Sequence, residues 1–314
     1  MTASVPGIER TGALPNLIVI GAQKCGTSAL HYYLDLHPEV QMSSPKELCF
    51  FLAEEDFDPE PFISEPRERR LFGPAFNWSR GRRWYEGHFR AGMPVRGEST
   101  PGYASLWYPG VASRMAQVVP EAKLIFVVRD PIDRIVSHYM HNRDAGVEWR
   151  PLAEAVERPR NAYVGRTMYA SLLQPFLKRY PRSRILILRQ EDLLRRRRET
   201  IGDLFRFLEV DERFWSPKME RERQPSGRKG RRFRLVRRLQ LSRLGSSFYR
   251  LPQEAKWVLE RIAFSRSPAE RPTVDERLRR RLLEGLEPEI AGLEELTGWD
   301  LAAWRAREAA ASGV

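Results

Sequence analysis

Apolar positions along this chain follow two alternating periods. Leu17 to Gly21 is an unbroken apolar run suited to a strand covered on both faces, and from Ser28 the period becomes helical, with Leu30, Tyr33 and Leu34 sharing a face. His37-Pro38 closes that helix, because proline disfavours a helical residue before it. Phe57 to Arg96 is rich in Pro, Gly and aromatics and predicts only one or two short helices, with Trp84, Tyr85 and Phe89 in the core or lining a substrate. Val95 to Thr100 predicts a strand running into the polar end Glu98-Ser99-Thr100, and Pro109 to Val119 a helix with Val111, Met115 and Val118 on one face. Leu124 to Val128 is a second continuous β-type run. Asp130 and Pro131 after it fit the cap and first turn of a helix whose buried stripe is Ile132, Ile135, Val136 and Tyr139. Helices over Leu152 to Val156, Tyr169 to Tyr180 and Glu199 to Leu208, with a strand over Arg184 to Arg189, continue the alternation. Near the end, Thr273 to Leu296 predicts a long helix with a Thr273/Glu276 capping box, an apolar face through Leu278, Leu282, Leu286, Ile290 and Leu293, a bend at Pro288, and Trp299 and Trp304 sealing its far end. Strands alternating with helices predict an α/β fold: a doubly wound, mostly parallel sheet flanked by helices, with a helical C-terminal region.

Between the first strand and its helix lies a tight turn, Gly21 to Ser28, with Gly21 and Gly26 at its ends and Lys24 inside. A Gly-bounded turn, a lysine and the positive end of a helix describe an anion cradle, most often a phosphate cradle. The alternative is a structural turn whose lysine is merely solvated. A nucleotide-hydrolase P-loop, G-x-x-x-x-G-K-[ST], has lysine directly after the second glycine, where this chain has Thr27, so the turn is only P-loop-like. Cys25 followed by an arginine six positions on would suggest a phosphatase, but that position is His31.

Two further positions carry candidate chemistry. Lys46-Glu47 leads straight into the apolar run Leu48 to Leu52, where burial would raise a carboxylate's pKa toward use as a base, although spacing alone favours an exposed loop residue. Arg129 emerges at a strand's carboxyl end, the usual address for ligands in open parallel sheets, or pairs locally with Asp130 or Asp133. Ser137 follows about two turns into the helix. His138 and His141 lie one turn apart but lack a third ligand, so no metal is expected.

Composition narrows the partners. With 314 residues and 42% hydrophobic content the chain can bury a sizeable core, read here as a single domain over 1–314 with a flexible leader at 1–15, a basic loop at 224–240 and a helical region at 270–306. A net charge of +12 favours an anionic partner, without choosing among nucleic acid, membrane surface, nucleotide cofactor and acidic substrate. The arginines at 195–198 read as a solvated helix start or loop. Cys25 and Cys49 form no disulfide framework, and neither a signal peptide nor a membrane-spanning run is visible, so a soluble cytoplasmic protein is expected.

GAQKCGTSAL near the N-terminus and FVVRDPIDRIVSHY about a hundred residues later together resemble the sulfotransferase family, closest to its heparan-sulfate-type and bacterial members. The K-E-x-x-F-F segment Lys46 to Phe51, the GEST-PGY stretch, ILILRQEDL and the C-terminal L-x-x-L-T-G-W-D-L-x-x-W extend the resemblance along nearly the whole chain. The resemblance implies a donor, 3′-phosphoadenosine 5′-phosphosulfate (PAPS), and a product, adenosine 3′,5′-bisphosphate, with no metal. Lys24, Cys25, Gly26, Thr27 and Ser28 would hold the 5′-phosphosulfate, and Arg129 with Ser137 the 3′-phosphate. Lys229, Gly230 and Arg231 would match a K-G-R donor loop. Glu47 would be the general base, reversing the reading from spacing, and Lys24 would stabilise the leaving phosphate. The acceptor would be a hydroxyl, less readily an amine, on a carbohydrate, lipid or secondary metabolite; no nucleic acid partner is expected. Some relatives carry lysine after the glutamate of E-K-T-P, where this chain has Ser99, which puts a second substrate-side lysine in doubt. The competing readings are a P-loop nucleotide kinase or hydrolase and a non-enzymatic polyanion binder driven by the arginine-rich 228–238 stretch.

Overall fold

The computed structural model describes residues 13–56, 76–144, 148–157, 161–220 and 271–306. Five strands, β1 (Leu17–Gly21), β2 (Val40–Met42), β3 (Val95–Ser99), β4 (Lys123–Val128) and β5 (Ile185–Arg189), form one sheet in the order β2-β3-β1-β4-β5. Every neighbouring pair is parallel. This is the predicted parallel sheet flanked by helices, and its order reverses direction at β1, with β3 on one side and β4 on the other. β2 was not legible as a strand, since three residues are too few to display a period.

The described residues fall into two compact units. One draws on 13–56, 76–129 and 171–220, the other on 130–144, 148–157, 161–170 and 271–306. The first holds the sheet with helices α1 (Thr27–Asp35), α2 (Gly81–Glu86), α3 (Val111–Val118), α8 (Gln190–Arg195) and α9 (Arg197–Leu208). The second holds α4 (Pro131–Asp144), α5 (Leu152–Glu157), α6 (Ala162–Gly165), α10 (Glu276–Thr297) and α11 (Ala302–Ala306); α7 (Tyr169–Leu177) spans residues of both.

The first unit's core is built on β1 and β4, whose apolar residues from Leu17 to Ile20 and Leu124 to Val128 are fully buried. Such burial on both faces explains why these strands read as continuous apolar runs rather than alternating ones. The arginines at 195–198 are not uniformly solvated. Arg197 donates to the carbonyls of Leu193 (3.0 Å), Met219 (2.9 Å) and Glu220 (2.8 Å), and its guanidinium lies over the Tyr33 ring.

In the second unit the stripe Ile132, Ile135, Val136 and Tyr139 packs with Val274, Leu278, Leu282 and Leu286 in one apolar cluster. Asp130 accepts from the Asp133 N–H at 3.0 Å, the predicted cap. Arg134 is fully buried and spends its donors on the Tyr163 carbonyl (2.7 Å), the Thr167 hydroxyl (3.3 Å) and His138 Nδ1 (3.1 Å). The capping box at Thr273 and Glu276 is overturned: α10 begins at Glu276, and Asp275, in extended conformation, accepts from the Leu278 N–H at 2.7 Å. Asp275 stands directly before the first helical residue, the position from which a side chain reaches the second or third helical N–H. Pro288 lies inside a helix that continues on both sides of it. Trp304 is buried beside Tyr169 and its carbonyl accepts from Arg279, whereas Trp299 is only half-buried, so one of the two tryptophans makes the seal.

Candidate functional site

The site begins where the sheet changes direction. The carboxyl end of β1 lies between those of β3 and β4, the position at which open parallel sheets receive ligands. Gly21 is required there by close approach: a Cβ would lie 2.5 Å from the Phe126 ring. After it the Ala22 N–H donates to the Val127 carbonyl at 2.9 Å, and the chain then turns away. Lys24 and Gly26 both take positive φ, 71° and 93°, reversing the backbone within three residues and delivering it into α1. Gly26 occupies the cap position, so no side chain covers the first turn of α1; the Ala29 and Leu30 N–H groups donate to the Gly26 carbonyl (3.0 and 3.1 Å), which leaves those of Thr27 and Ser28 without an acceptor within the helix. The Cys25 side chain is fully buried and its N–H donates to the Ala22 carbonyl at 3.3 Å; Thr27 is buried at the helix start and Ser28 is exposed.

Three residues at the end of β3 organise the segment beside this loop. Glu98 is fully buried, and its carboxylate accepts from Tyr85 Oη (2.5 Å), Tyr103 Oη (2.9 Å), Thr100 Oγ1 (2.7 Å) and the Leu48 N–H (3.4 Å). Burial pushes its pKa up against the opposing effect of those four donors. Thr100 and Tyr103 also accept the Cys49 and Phe51 N–H groups, so the strand end holds the 48–51 turn by its backbone. Ser99 donates its N–H to the Lys46 carbonyl at 3.2 Å. With its main chain fixed in this way, Lys46 extends Nζ to 3.4 Å from Thr27 Oγ1 and 3.1 Å from Glu47 Oε1. The Glu47 side chain is half exposed, in line with the spacing-based reading of an exposed loop residue.

His31, on α1, completes the cluster with Nδ1 2.9 Å from Ser99 Oγ. Burial and then the Lys46 ammonium press its pKa down from 6.5 to about 4, against a smaller pull from Asp35. A group depressed in this way supports the fold fully above pH 6.5 and withdraws that support as the pH falls toward 4. Wild type should therefore lose more thermal stability on acidification through that window than His31→Gln does. Equal losses by calorimetry would show that His31 protonation is not linked to folding.

Arg129 follows the last residue of β4, half-buried, and β4 is the direct partner of β1. The arginine and the Lys24 loop thus leave adjacent parallel strands at the same end of the sheet. A sequence model described as the sulfotransferase family matches residues 15–217, a span holding the loop, the Lys46-Glu47 segment and Arg129.

The chain belongs to the sulfotransferase family.

This sulfotransferase-family chain is 26% identical to a solved sulfotransferase from Alicyclobacillus acidocaldarius, with a TM-score of 0.66 over 93% of this chain and 99% of that one. It is 32% identical over 129 residues to the membrane-associated sulfotransferase kil1 of Dictyostelium discoideum, covering 40% of this chain and 22% of the relative. To the human bifunctional heparan sulfate N-deacetylase/N-sulfotransferase 2 it is 26% identical over 216 residues, covering 63% of this chain and 22% of the relative. The chain thus spans about a fifth of the length of these curated relatives.

Of the remaining sequence-derived residues, Ser137 is buried on α4 in the second unit. Lys229, Gly230 and Arg231, like the rest of the 224–240 basic loop, lie outside the described residues. His138 is engaged by Arg134, and the described residues contain no group of three or more His, Cys, Asp or Glu able to hold a metal ion. None of their helices is long and apolar enough to cross a membrane. Sequence reasoning assigned no role to Glu98 or His31 and did not show the reach of Lys46 to Thr27. The signal available was thin: a carboxylate at the end of a β-run, with tyrosines thirteen residues before and five after it.

Proposed function

We propose that this chain transfers a sulfuryl group from PAPS to a hydroxyl, less readily an amine, of a carbohydrate, lipid or secondary-metabolite acceptor. The observation that carries this reading is the adjacency of β1 and β4, which brings the Lys24 loop and Arg129 to one end of the sheet. A donor phosphorylated at both ends of its ribose matches two such cationic positions. Lys24 and the first turn of α1 take the 5′-phosphosulfate, with Thr27 and Ser28 adding hydroxyls and Cys25 and Gly26 adding main chain. Arg129 takes the 3′-phosphate; Ser137 as its second ligand, and Lys229, Gly230 and Arg231 as a donor loop, rest on the resemblance alone.

The chemistry is an in-line displacement at sulfur, in which the protein positions two oxygens and neutralises charge on the leaving one. The acceptor oxygen forms a bond to sulfur as Glu47 takes its proton. The bond from sulfur to the 5′-phosphate breaks, its electron pair stays on the phosphate, and Lys24 stabilises that charge. Half-exposure suits Glu47 to this task, since the acceptor must reach it from solvent.

Calorimetric titration tests the reading before any acceptor is known. Adenosine 3′,5′-bisphosphate should bind at least about tenfold more tightly than AMP or ATP, the size expected of one charge-assisted phosphate contact. Equal affinity for the three would remove the 3′-phosphate assignment, and preference for ATP would favour a nucleotide kinase.

A further inference from the structure

We infer that Lys46 is a further catalytic residue of this site, its ammonium meeting the non-bridging oxygens of the sulfuryl group during transfer; the inference rests on the function proposed above. Its Nζ stands between two groups that reading assigns to opposite sides of the reaction. On one side is the Thr27 hydroxyl at the start of α1, 3.4 Å away; on the other is the Glu47 carboxylate, 3.1 Å away. A lysine that merely decorated the surface would not be held this way. Its side chain is only 22% exposed. Its carbonyl accepts from Ser43 Oγ and from the Ser99 N–H, both at 3.2 Å, and the Leu48 N–H two residues on is held by buried Glu98. A pair between adjacent, partly exposed residues contributes little to stability, so stability alone gives no reason for so firm a hold. The charge is felt inside the cluster, where it helps press the His31 pKa down to about 4.

The step itself balances without another reactant. Sulfur exchanges its bond to the 5′-phosphate oxygen for one to the acceptor oxygen, and the acceptor proton passes to Glu47. The sulfuryl oxygens keep their negative charge throughout and draw close to a carboxylate, so a cation between the two removes a repulsion that Lys24, on the leaving phosphate, does not address. Lys46 on this account touches a group present in the donor and absent from the product nucleotide.

That difference supplies the test. Calorimetry should show Lys46→Ala weakening PAPS binding on the order of tenfold or more, the effect of one charge-assisted contact, while affinity for adenosine 3′,5′-bisphosphate changes less than about twofold. Lys46→Arg should restore most of the lost discrimination. Proton NMR should show the His31 pKa rising in Lys46→Ala and staying low in Lys46→Arg, reporting that the cluster keeps its geometry. Equal weakening of both nucleotides, or of neither, would overturn the role of Lys46 while leaving the donor assignment standing. A wild-type chain that binds neither nucleotide would overturn the proposed function, and this assignment with it.

Discussion

Lys24→Ala is expected to lower sulfuryl transfer from PAPS by about 10²–10³-fold, the usual consequence of removing one preorganised donor from a developing negative charge. The protein should stay folded, because the backbone of the loop is set by other residues. Gly21 permits the close approach to Phe126, Gly26 supplies positive φ, and Ala22 continues the ladder to Val127. Lys24 itself sits at φ 71°, a conformation that disfavours alanine as much as lysine, so the substitution leaves that strain unchanged. Activity should be read with PAPS against pooled glycan, lipid and phenolic acceptors, beside circular dichroism of both proteins. Affinity for adenosine 3′,5′-bisphosphate should fall as well, since on the proposed reading Lys24 meets the phosphate that the product retains, in contrast to Lys46→Ala. A Lys24→Ala protein with full activity would exclude the lysine from transition-state stabilisation.

What could be read from the sequence followed from how locally each feature is encoded. β1 and β4 were legible because a strand buried on both faces writes an unbroken apolar run, and β5 because four apolar residues follow one another in it. The turn between β1 and α1 was legible because Gly21, Lys24 and Gly26 lie close together in sequence. Arg129 was placed by its position after β4, although which strand β4 pairs with is a property of the sheet alone. Contacts between distant segments carried no such mark. Lys46 meets Thr27 across nineteen residues. Tyr85, Leu48 and Tyr103 converge on Glu98 because β3 pairs with β2 and β1 in parallel, bringing loops from different parts of the chain to one strand end. Arg134 is a charged residue on a helix that composition would leave in water, and it is buried because carbonyl, hydroxyl and imidazole acceptors surround it. At α10 two capping residues stood close together in sequence, and the one adjacent to the first helical residue took the role.

The largest stability effect is expected at Glu98. In Glu98→Ala the hydroxyls of Tyr85, Tyr103 and Thr100 and the Leu48 N–H each lose an acceptor in a place water does not reach. A buried donor left unsatisfied costs about 1–3 kcal/mol, and partial relaxation around the cavity brings the sum to about 3–5 kcal/mol. Glu98→Gln keeps the shape and one carbonyl acceptor but turns an amide N–H₂ toward donors, so it should cost about half as much. Tyr85→Phe and Tyr103→Phe should each cost about 1 kcal/mol, and less when Glu98 is already alanine, because the tyrosines and the carboxylate share the same bonds. The pH dependence has a definite sign. Burial raises the Glu98 pKa, so its contribution is fully present below the ordinary carboxylate value of 4.5 and declines as the pH rises through the folded value. Calorimetric unfolding of these four variants across pH, with the two tyrosine substitutions also made in the Glu98→Ala background, measures each quantity. Glu98→Ala within about 0.5 kcal/mol of wild type would mean that the four donors find other acceptors, and that the 48–51 turn does not depend on this carboxylate.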